Sequence, residues 1–496
     1  MTSLQNLYTI LGVPPDADED EIKAAYRLGA RRFHPDANAN PGAAVQFREI
    51  QAAYDVLSDR VQRARYDRRR LSIADRRLEF DIIVTPSKRV IAPLSEPQVL
   101  YLLAEIAPGR RETSPHETVL NLTLVIDRST SMKGRRLEQV KSAAHKIIDT
   151  MSDRDIISII SFSDRAEVVV PATPIYAAER HTLKAHISTM QASGGTEIMQ
   201  GLIKGLSELH KHLSRKYVNH LVLLTDGRTY GDEEDCILLA ESAAEDGVTI
   251  SGMGIGDEWN DEFLDRLASV TGGTSAYIDA SSTVTNFLQK QVRSLGQAYA
   301  ERLQLSVAPD ASMGLEAAFK IAPSPMPLDS ERQPMPLGTL EYKRPLSVLL
   351  QLKLPPLETP GMLPVARFDV TGDILWKDLD NYKAIADMTL EVSETAEPTP
   401  PPKAILNALG KLTLYRMQEK AQQAIDEGNV EEATRKLEDL ATRLLAGGQT
   451  ELAEAAMSEA RHVASTHTLS GEGSKLLKYG TRALLLPASS EDSSTH

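Results

Sequence analysis

Residues 124–134 read LVIDRSTSMKG, an apolar run that ends in the carboxylate of Asp127 and the hydroxyls of Ser129, Thr130 and Ser131. Two later stretches offer matching groups. ASGGTEI places Thr196 after a Gly-Gly turn, and LVLLTDGR ends a second apolar run at Asp226. Asp127, Ser129, Ser131, Thr196 and Asp226 are all hard oxygen donors. Such a set suits Mg²⁺, which takes about six oxygens at ~2.0–2.1 Å and keeps several waters, though another divalent cation would also be held. Two carboxylates only just balance the ion, so an open coordination position would attract a carboxylate from outside, such as an acidic residue of a partner protein. Neither serine has a nearby histidine placed as a base, so no hydrolase is expected. His145, His181, His186, His210, His212 and His220 show no metal-ligand spacing.

A second stretch, RRFHPDANANPG over 31–42, sets His34, Pro35 and Asp36 between two helical patterns. Asp36 on a proline-stiffened turn is suited to capturing an arginine through a charge-assisted hydrogen bond. His34 would orient that carboxylate or the turn backbone. With no nucleophile or ligand beside it in sequence, it is not expected to be catalytic. Lys23, Arg27 and Arg31 recur every four residues on the preceding helix and form a basic stripe for an acidic partner. The arginines at 60, 63, 65, 68, 69, 70, 76 and 77 form a further basic run, either a solvated helix face with a linker or a local acidic-partner site.

These groups need elements to hold them. Asp18 and Glu21 have capping-box spacing, with Asp in place of Ser or Thr. Ile22, Ala25, Tyr26, Ala30 and Phe33 then share one helical face, and Pro35 stops the helix. Phe47, Ile50, Tyr54 and Leu57 give a second apolar stripe, so an antiparallel helical hairpin is expected, with His34–Gly42 as its exposed tip. From 79 the texture changes to strands closed by Pro-containing turns. Residues 119–297 alternate apolar strands with amphipathic helices, the pattern of βα units around a mostly parallel sheet. Asp127 and Asp226 then fall at carboxyl ends of strands, where open α/β sheets place ligands. Strand-like segments return over 300–395. The simplest account is one β-sandwich split by the α/β insertion, the alternative being two small β pieces. EPTPPPK (397–403) reads as a stiff linker. Three helices punctuated by glycine follow, and the final PASSEDSSTH reads as disordered.

The segment 4–69, with LYTILGV, EIKAAYR, FHPD, FREIQAAYDVLSD and RARYD, resembles the J domain of DnaJ-family co-chaperones. That resemblance implies docking on a DnaK-type, seventy-kilodalton heat-shock chaperone and acceleration of its ATP hydrolysis. By position it makes Lys23, Tyr26 and Arg27 docking residues and His34, Pro35 and Asp36 the triggering tripeptide. The chain departs from the family at Ala24 and Leu28, where bases are frequent, at Ala37, a frequent arginine, and at Gly29, usually a buried leucine. Glycine inside a helix costs ~1 kcal/mol relative to alanine. The glycine-phenylalanine segment and the zinc modules of larger family members are absent from the sequence.

Residues 119–297 resemble a von Willebrand factor A domain with a complete metal-ion-dependent adhesion site. Asp127, Ser129, Ser131, Thr196 and Asp226 match its five ligand positions. Thr130 stands where glycine is frequent, and Glu197 where Asp or Asn is frequent. The resemblance implies protein binding.

Bulk composition agrees. The 496 residues suffice for several domains, with 42% hydrophobic and 25% charged residues. The net charge of −14 argues against nucleic-acid binding. No apolar run approaches the ~18 residues of a membrane span. No leader-like pattern precedes Leu7, and the single cysteine, Cys236, reads as a small buried apolar residue, so a cytoplasmic location is expected. The expected organisation is an all-α J-domain hairpin (1–72), strands of a β-sandwich (79–118), an inserted doubly wound α/β von Willebrand A domain (119–297), the rest of the sandwich (300–395), a Pro-rich linker (396–403), a helical domain (404–466) and a partly disordered tail (467–496). The expected function is a non-enzymatic co-chaperone that stimulates a DnaK-type ATPase and holds a client through Mg²⁺. The alternative is a metal-dependent scaffold, or an adaptor of an AAA-type ATPase, with a secondary J domain.

Overall fold

The computed structural model describes residues 7–71, 79–109, 118–176, 180–229, 231–256, 258–278, 284–342, 344–377, 379–397 and 399–485. Arg76, Arg77, Pro398 and the tail from 486 lie outside the described residues. The chain opens with α1 (Leu7–Leu11), α2 (Glu19–Phe33), α3 (Pro41–Leu57) and α4 (Arg60–Leu71), then β1 (Phe80–Pro86), β2 (Val90–Ile91) and β3 (Gln98–Pro108). An α/β stretch follows: β4 (Leu120–Asp127), α5 (Arg135–Thr150), β5 (Ile156–Phe162), β6 (Ala166–Pro174), α6 (Arg180–Ser188), α7 (Ile198–His210), β7 (Val218–Thr225), α8 (Glu233–Glu245), β8 (Thr249–Ile255), α9 (Asp261–Ser269), β9 (Ser275–Ile278) and α10 (Val284–Leu295). Strands return as β10 (Ala298–Pro309), β11 (Gly314–Ala322), β12 (Met326–Leu328), β13 (Met335–Glu341), β14 (Leu346–Leu354), β15 (Gly361–Ile374) and β16 (Leu379–Val392). Four helices close the chain: α11 (Lys403–Asp426), α12 (Val430–Ala446), α13 (Thr450–Thr466) and α14 (Gly471–Ala483). These elements form two compact units, the first built from the N-terminal helices and the sandwich strands, the second from the α/β stretch and the C-terminal helices.

In the first unit, α2 begins as its sequence dictates. Asp18 accepts from the Glu21 amide and Glu21 from the Asp18 amide, each at 2.8 Å, which satisfies two of the orphan donors of the first turn. Ile22, Phe33, Ile50 and Leu57 are buried between α2 and α3. Gly29 abuts Ile50, whose Cδ1 would lie 3.0 Å from a Cβ at that position, so Ile50 fills the space of the missing side chain. Two residues of the basic run are structural: Arg63 donates to the Ala17 carbonyl at 2.7 Å, and Arg60 pairs with Glu19.

The sandwich is one body, drawn from both sides of the insertion. One sheet runs β1-β3-β14-β11-β12 and the other β13-β10-β15-β16-β2. β3 pairs antiparallel with β14 over nine residues, Leu346 opposite Ile106 to Leu354 opposite Gln98, and the short β2 adds to β16. The core between the sheets includes Phe80, Leu102, Leu305, Leu350 and Phe368. The strands β11 and β13 were not evident in sequence, where Gly, Pro and the fully buried Lys320 break their apolar texture.

In the second unit the sheet order is β6-β5-β4-β7-β8-β9, parallel throughout except for the antiparallel edge strand β6. β4 pairs with β5 on one side and β7 on the other, which makes the carboxyl ends of β4 and β7 the topological switch point. The glycines of α7 permit its close packing on the sheet: a Cβ at Gly205 would sit 2.6 Å from Val125. Cys236 is buried, and burial pushes its thiol up to about 12.

The expected tail 467–496 is corrected. Residues 471–483 form the helix α14, which docks on the α/β domain. Arg482 forks onto Asp265 at 2.8 and 2.5 Å, and Lys478 adds a pair at 3.0 Å. Burial alone would push the Asp265 carboxyl up, but Arg482 and Lys478 beside it hold it well below the carboxylate range. Tyr479 lies against Trp259 and Tyr277, with ring centroids 5.7 and 6.2 Å apart.

A candidate metal centre and a candidate chaperone-docking face

Asp127 ends β4, fully buried, with both oxygens engaged. Oδ1 accepts the Ser129 amide and Oδ2 the Thr225 hydroxyl, each at 2.7 Å. The Ser129 and Ser131 hydroxyls are 2.9 Å apart, and Ser131 donates to Asp226 Oδ1 at 2.7 Å. Asp226, just past β7, is also fully buried, while Ser131 faces solvent at the mouth. Thr196 is brought alongside: its Oγ1 would lie 3.0 Å from a Cβ at Gly227. The structure therefore gathers these side chains from three loops at the switch point.

The loop that carries Thr196 is tied to its neighbours. Gly195 N donates to Asp164 at 2.8 Å, and Ser193 N to the Arg128 carbonyl at 2.7 Å. Gly194 has a φ of 80°, and a Cβ there would sit 2.4 Å from Asp164 Oδ2, so the turn requires glycine. Thr130 gains a role at this point. Its amide and hydroxyl both donate to the Gly194 carbonyl, at 3.0 and 2.9 Å, and join the two loops.

Burial is the main force that raises the Asp127 carboxyl above its ordinary range; hydrogen bonds from Ser129 and Thr225 oppose it, and Asp226 adds to it. Two neighbouring carboxylates removed from water keep their charge only where a cation offsets it; otherwise they take up a proton. Arg136 of α5 supplies one, its Nη1 donating to Asp226 Oδ2 at 2.7 Å. Neither Arg136 nor Thr225 was singled out in sequence, because a charged residue on a helix and a threonine in a strand carry no signal by themselves. Among the described residues no cluster of three or more His, Cys, Asp or Glu side chains forms a metal site. The gathered set is thus hydroxyl-rich and hard, and it fits an oxygen-preferring divalent ion.

The second site lies on the N-terminal helices. His34 caps α2 with ψ at 131°, the extended conformation demanded before Pro35. Its carbonyl accepts the Ala37 and Asn38 amides at 2.9 and 2.8 Å, and its Nδ1 accepts the Asp36 amide at 3.2 Å. The ring stands edge-on to Phe47, 5.1 Å away. The Asp36 side chain is 91% exposed. Lys23, Arg27 and Pro35 are also exposed, while Tyr26 is half-buried, stacked on Tyr54 and donating to Gln51 at 2.5 Å. The expectation that all of His34–Gly42 is an exposed tip is corrected: Asn38 is 2% exposed and Gly42 is buried, because both lie against the sandwich.

Comparison with known proteins supplies the relations. A DnaJ domain profile matches residues 6–67, a von Willebrand factor type A domain profile 121–291, and the profile "Sll0103-like, C-terminal alpha-helical domain" 403–487. The uncharacterized protein sll0103 of Synechocystis is 32% identical over 291 residues, covering 57% of this chain and 67% of that protein. The chaperone protein DnaJ of Trichormus variabilis is 58% identical over 64 residues, 13% of this chain and 17% of its own length. The chain therefore spans only about a sixth of that DnaJ. The solved von Willebrand factor type A protein of Catenulispora acidiphila shares the fold, with a TM-score of 0.65 at 15% identity over 82% of this chain and 96% of its own. No described helix is long and apolar enough to cross a membrane.

Proposed function

Because the chain belongs to the sll0103 family of von Willebrand factor A proteins and carries a J domain ahead of that region, we propose that it is a non-enzymatic co-chaperone of a DnaK-type ATPase. In this reading Lys23, Tyr26 and Arg27 dock the chaperone, and His34, Pro35 and Asp36 trigger its ATP hydrolysis. Asp127, Ser129, Ser131, Thr196 and Asp226 hold Mg²⁺. Held by these residues, such an ion would leave a coordination position for a carboxylate of a client protein. The chain's own residues keep the carboxylates buried and aimed, and the Gly194–Thr130 contact keeps the loops together.

The observation that carries the reading is the coexistence of an exposed Asp36 on a hydrogen-bonded turn with exposed Lys23 and Arg27 on the helix leading to it. The test is single-turnover ATP hydrolysis by the host's DnaK-type chaperone with the full chain and its Asp36→Asn variant. Stimulation that disappears on substitution supports the reading. A chaperone that does not respond to a folded wild-type chain overturns it.

One feature favours the alternative, a metal-dependent scaffold or an AAA-type ATPase adaptor with a secondary J domain. Leu28 is 71% exposed on the docking helix, an apolar side chain where the J-domain resemblance implies a base. The same assay separates the two.

A further inference from the structure

The turn that bears the tripeptide is fastened from behind. Asn38 donates to the Pro309 carbonyl at 3.0 Å and to the Arg32 carbonyl at 3.2 Å. Asn40 donates to the carbonyls of Met313 at 3.1 Å and Asp310 at 3.4 Å. Arg32, just before the turn, pairs with Asp310 at 3.2 Å. Just after the turn, α3 meets β10 so closely that a Cβ at Gly42 would lie 1.9 Å from the Val307 carbonyl oxygen.

The contact continues inward. Lys383, 3% exposed, binds Asp369 of the sandwich at 2.7 Å and also Glu49 of α3. Arg367 of β15 donates to the Ile10 carbonyl at 2.8 Å and forks onto Asp387. Ala308 is fully buried within the core of the N-terminal helices. Backbone-to-backbone approach and buried charge of this kind are features of a fixed junction, not of a domain on a tether. The junction nonetheless leaves Lys23, Arg27, Pro35 and Asp36 exposed.

We propose that the β-sandwich is a working part of the chaperone-docking device: through Asp310 and the carbonyls of Pro309 and Met313 it positions the His34–Asp36 turn. The inference rests on the co-chaperone reading above. Asp36 acts through a directional, charge-assisted bond, so its orientation matters. A turn already held in one pose loses less freedom when the chaperone closes on it. Asp310, Asn38 and Asn40 are positioning residues, and the chain stimulates its partner as J domain plus sandwich.

The test uses the full chain with Asp310→Arg, which sets like charge against Arg32, and Asp310→Glu, which keeps the pair. Gly42→Val is a second way to open the junction. Two readouts are taken: amide hydrogen exchange over 34–44, with 19–33 as the folding control, and single-turnover ATP hydrolysis of the DnaK-type chaperone against co-chaperone concentration. Asp310→Arg is expected to speed exchange at the turn and lower the maximal stimulation at least threefold. The half-maximal concentration moves less, and Asp310→Glu restores both readouts. If the wild type stimulates, Asp36→Asn does not, and an opened junction leaves stimulation unchanged, the inference fails while the co-chaperone reading stands. If neither opening variant loosens the turn, the sandwich does not position it and the inference fails. If the wild type itself does not stimulate, both fail.

Discussion

Arg136 Nη1 lies 2.7 Å from Asp226 Oδ2, so a cation from the chain's own helix sits on a carboxylate proposed to hold a metal. The other Asp226 oxygen accepts from Ser131, and the carboxylate is fully buried, whereas Arg136 is 38% exposed. A divalent ion arriving at Asp226 must share or displace this guanidinium. Arg136→Gln is therefore expected to tighten Mg²⁺ binding several-fold by calorimetry. Without metal the same variant should lose ~1–2 kcal/mol, between the values for exposed and buried pairs, and excess Mg²⁺ should restore it. Unchanged or weaker Mg²⁺ affinity would show that Arg136 does not compete.

At Leu28 the expected gain comes from adding a charge. Its side chain projects from α2 beside Arg27, and it is 71% exposed, so replacement disturbs no packing. Leu28→Lys extends the basic stripe at little cost in stability. If the docking partner is acidic, the variant should reach half-maximal ATPase stimulation at a lower concentration, with the maximal rate unchanged. The gain should shrink with salt, as screening requires. A gain that persists at high salt would rule out the electrostatic account.

The residues legible in sequence were those whose chemistry is local. Asp127, Ser129 and Ser131 fall within five positions, and Asp226 closes an apolar strand. His34–Asp36 sits between two clear apolar stripes. What escaped were groups defined by their distant partners. Asn38 and Asn40 read as loop polarity until the Pro309 and Met313 carbonyls appear beside them. Helix α14 escaped because GEGSKLLKYGTRA carries three glycines, poor helix formers. Packing explains two of them: a Cβ at Gly473 would lie 2.0 Å from Glu459, and one at Gly480 2.3 Å from Leu452. Tertiary contact there outweighs propensity.

That helix is also a stability determinant. Asp265 faces Arg482, Lys478 and the Tyr479 hydroxyl, and the Arg482 side chain is only 5% exposed. Arg482→Met leaves a buried carboxylate short of its fork and should cost ~3–5 kcal/mol in denaturant unfolding. Adding Asp265→Asn should recover part of that loss, because the uncompensated charge is gone. In a Trp376→Phe background Trp259, fully buried beside Tyr479, should shift its emission to the red when the chain is cut after Thr466. A silent Trp259 in that truncation would mean that α14 does not cover it.

The two units should respond oppositely to pH. In the sandwich, burial is the main force that raises Glu301, to about 7 from 4.5. The folded state thus holds this proton more tightly than the unfolded chain. The contribution is full below about 4.5 and is lost as pH rises through about 7, on the order of 3 kcal/mol in all. In the α/β domain His220 is fully buried, its Nε2 3.0 Å from Ser251 Oγ, and burial lowers it from 6.5 to about 3. Its contribution is present above about 6.5 and is lost as pH falls toward 3, because the unfolded histidine takes up the proton first. Glu301→Gln should reduce the first unit's loss of stability between about pH 4.5 and 7, where Glu49, also raised to about 7, keeps its own share, and leave the α/β transition unmoved. His220→Gln should reduce the acid-side loss of the α/β domain alone, most visibly between about pH 6.5 and 4, above the range in which Asp265 loses its own share. Unfolding curves of the single-tryptophan variants Trp259→Phe and Trp376→Phe, which leave Trp376 and Trp259 in turn as the emitter, report the two units. A Glu301→Gln chain with the wild-type pH slope at Trp376 would exclude Glu301 as the source.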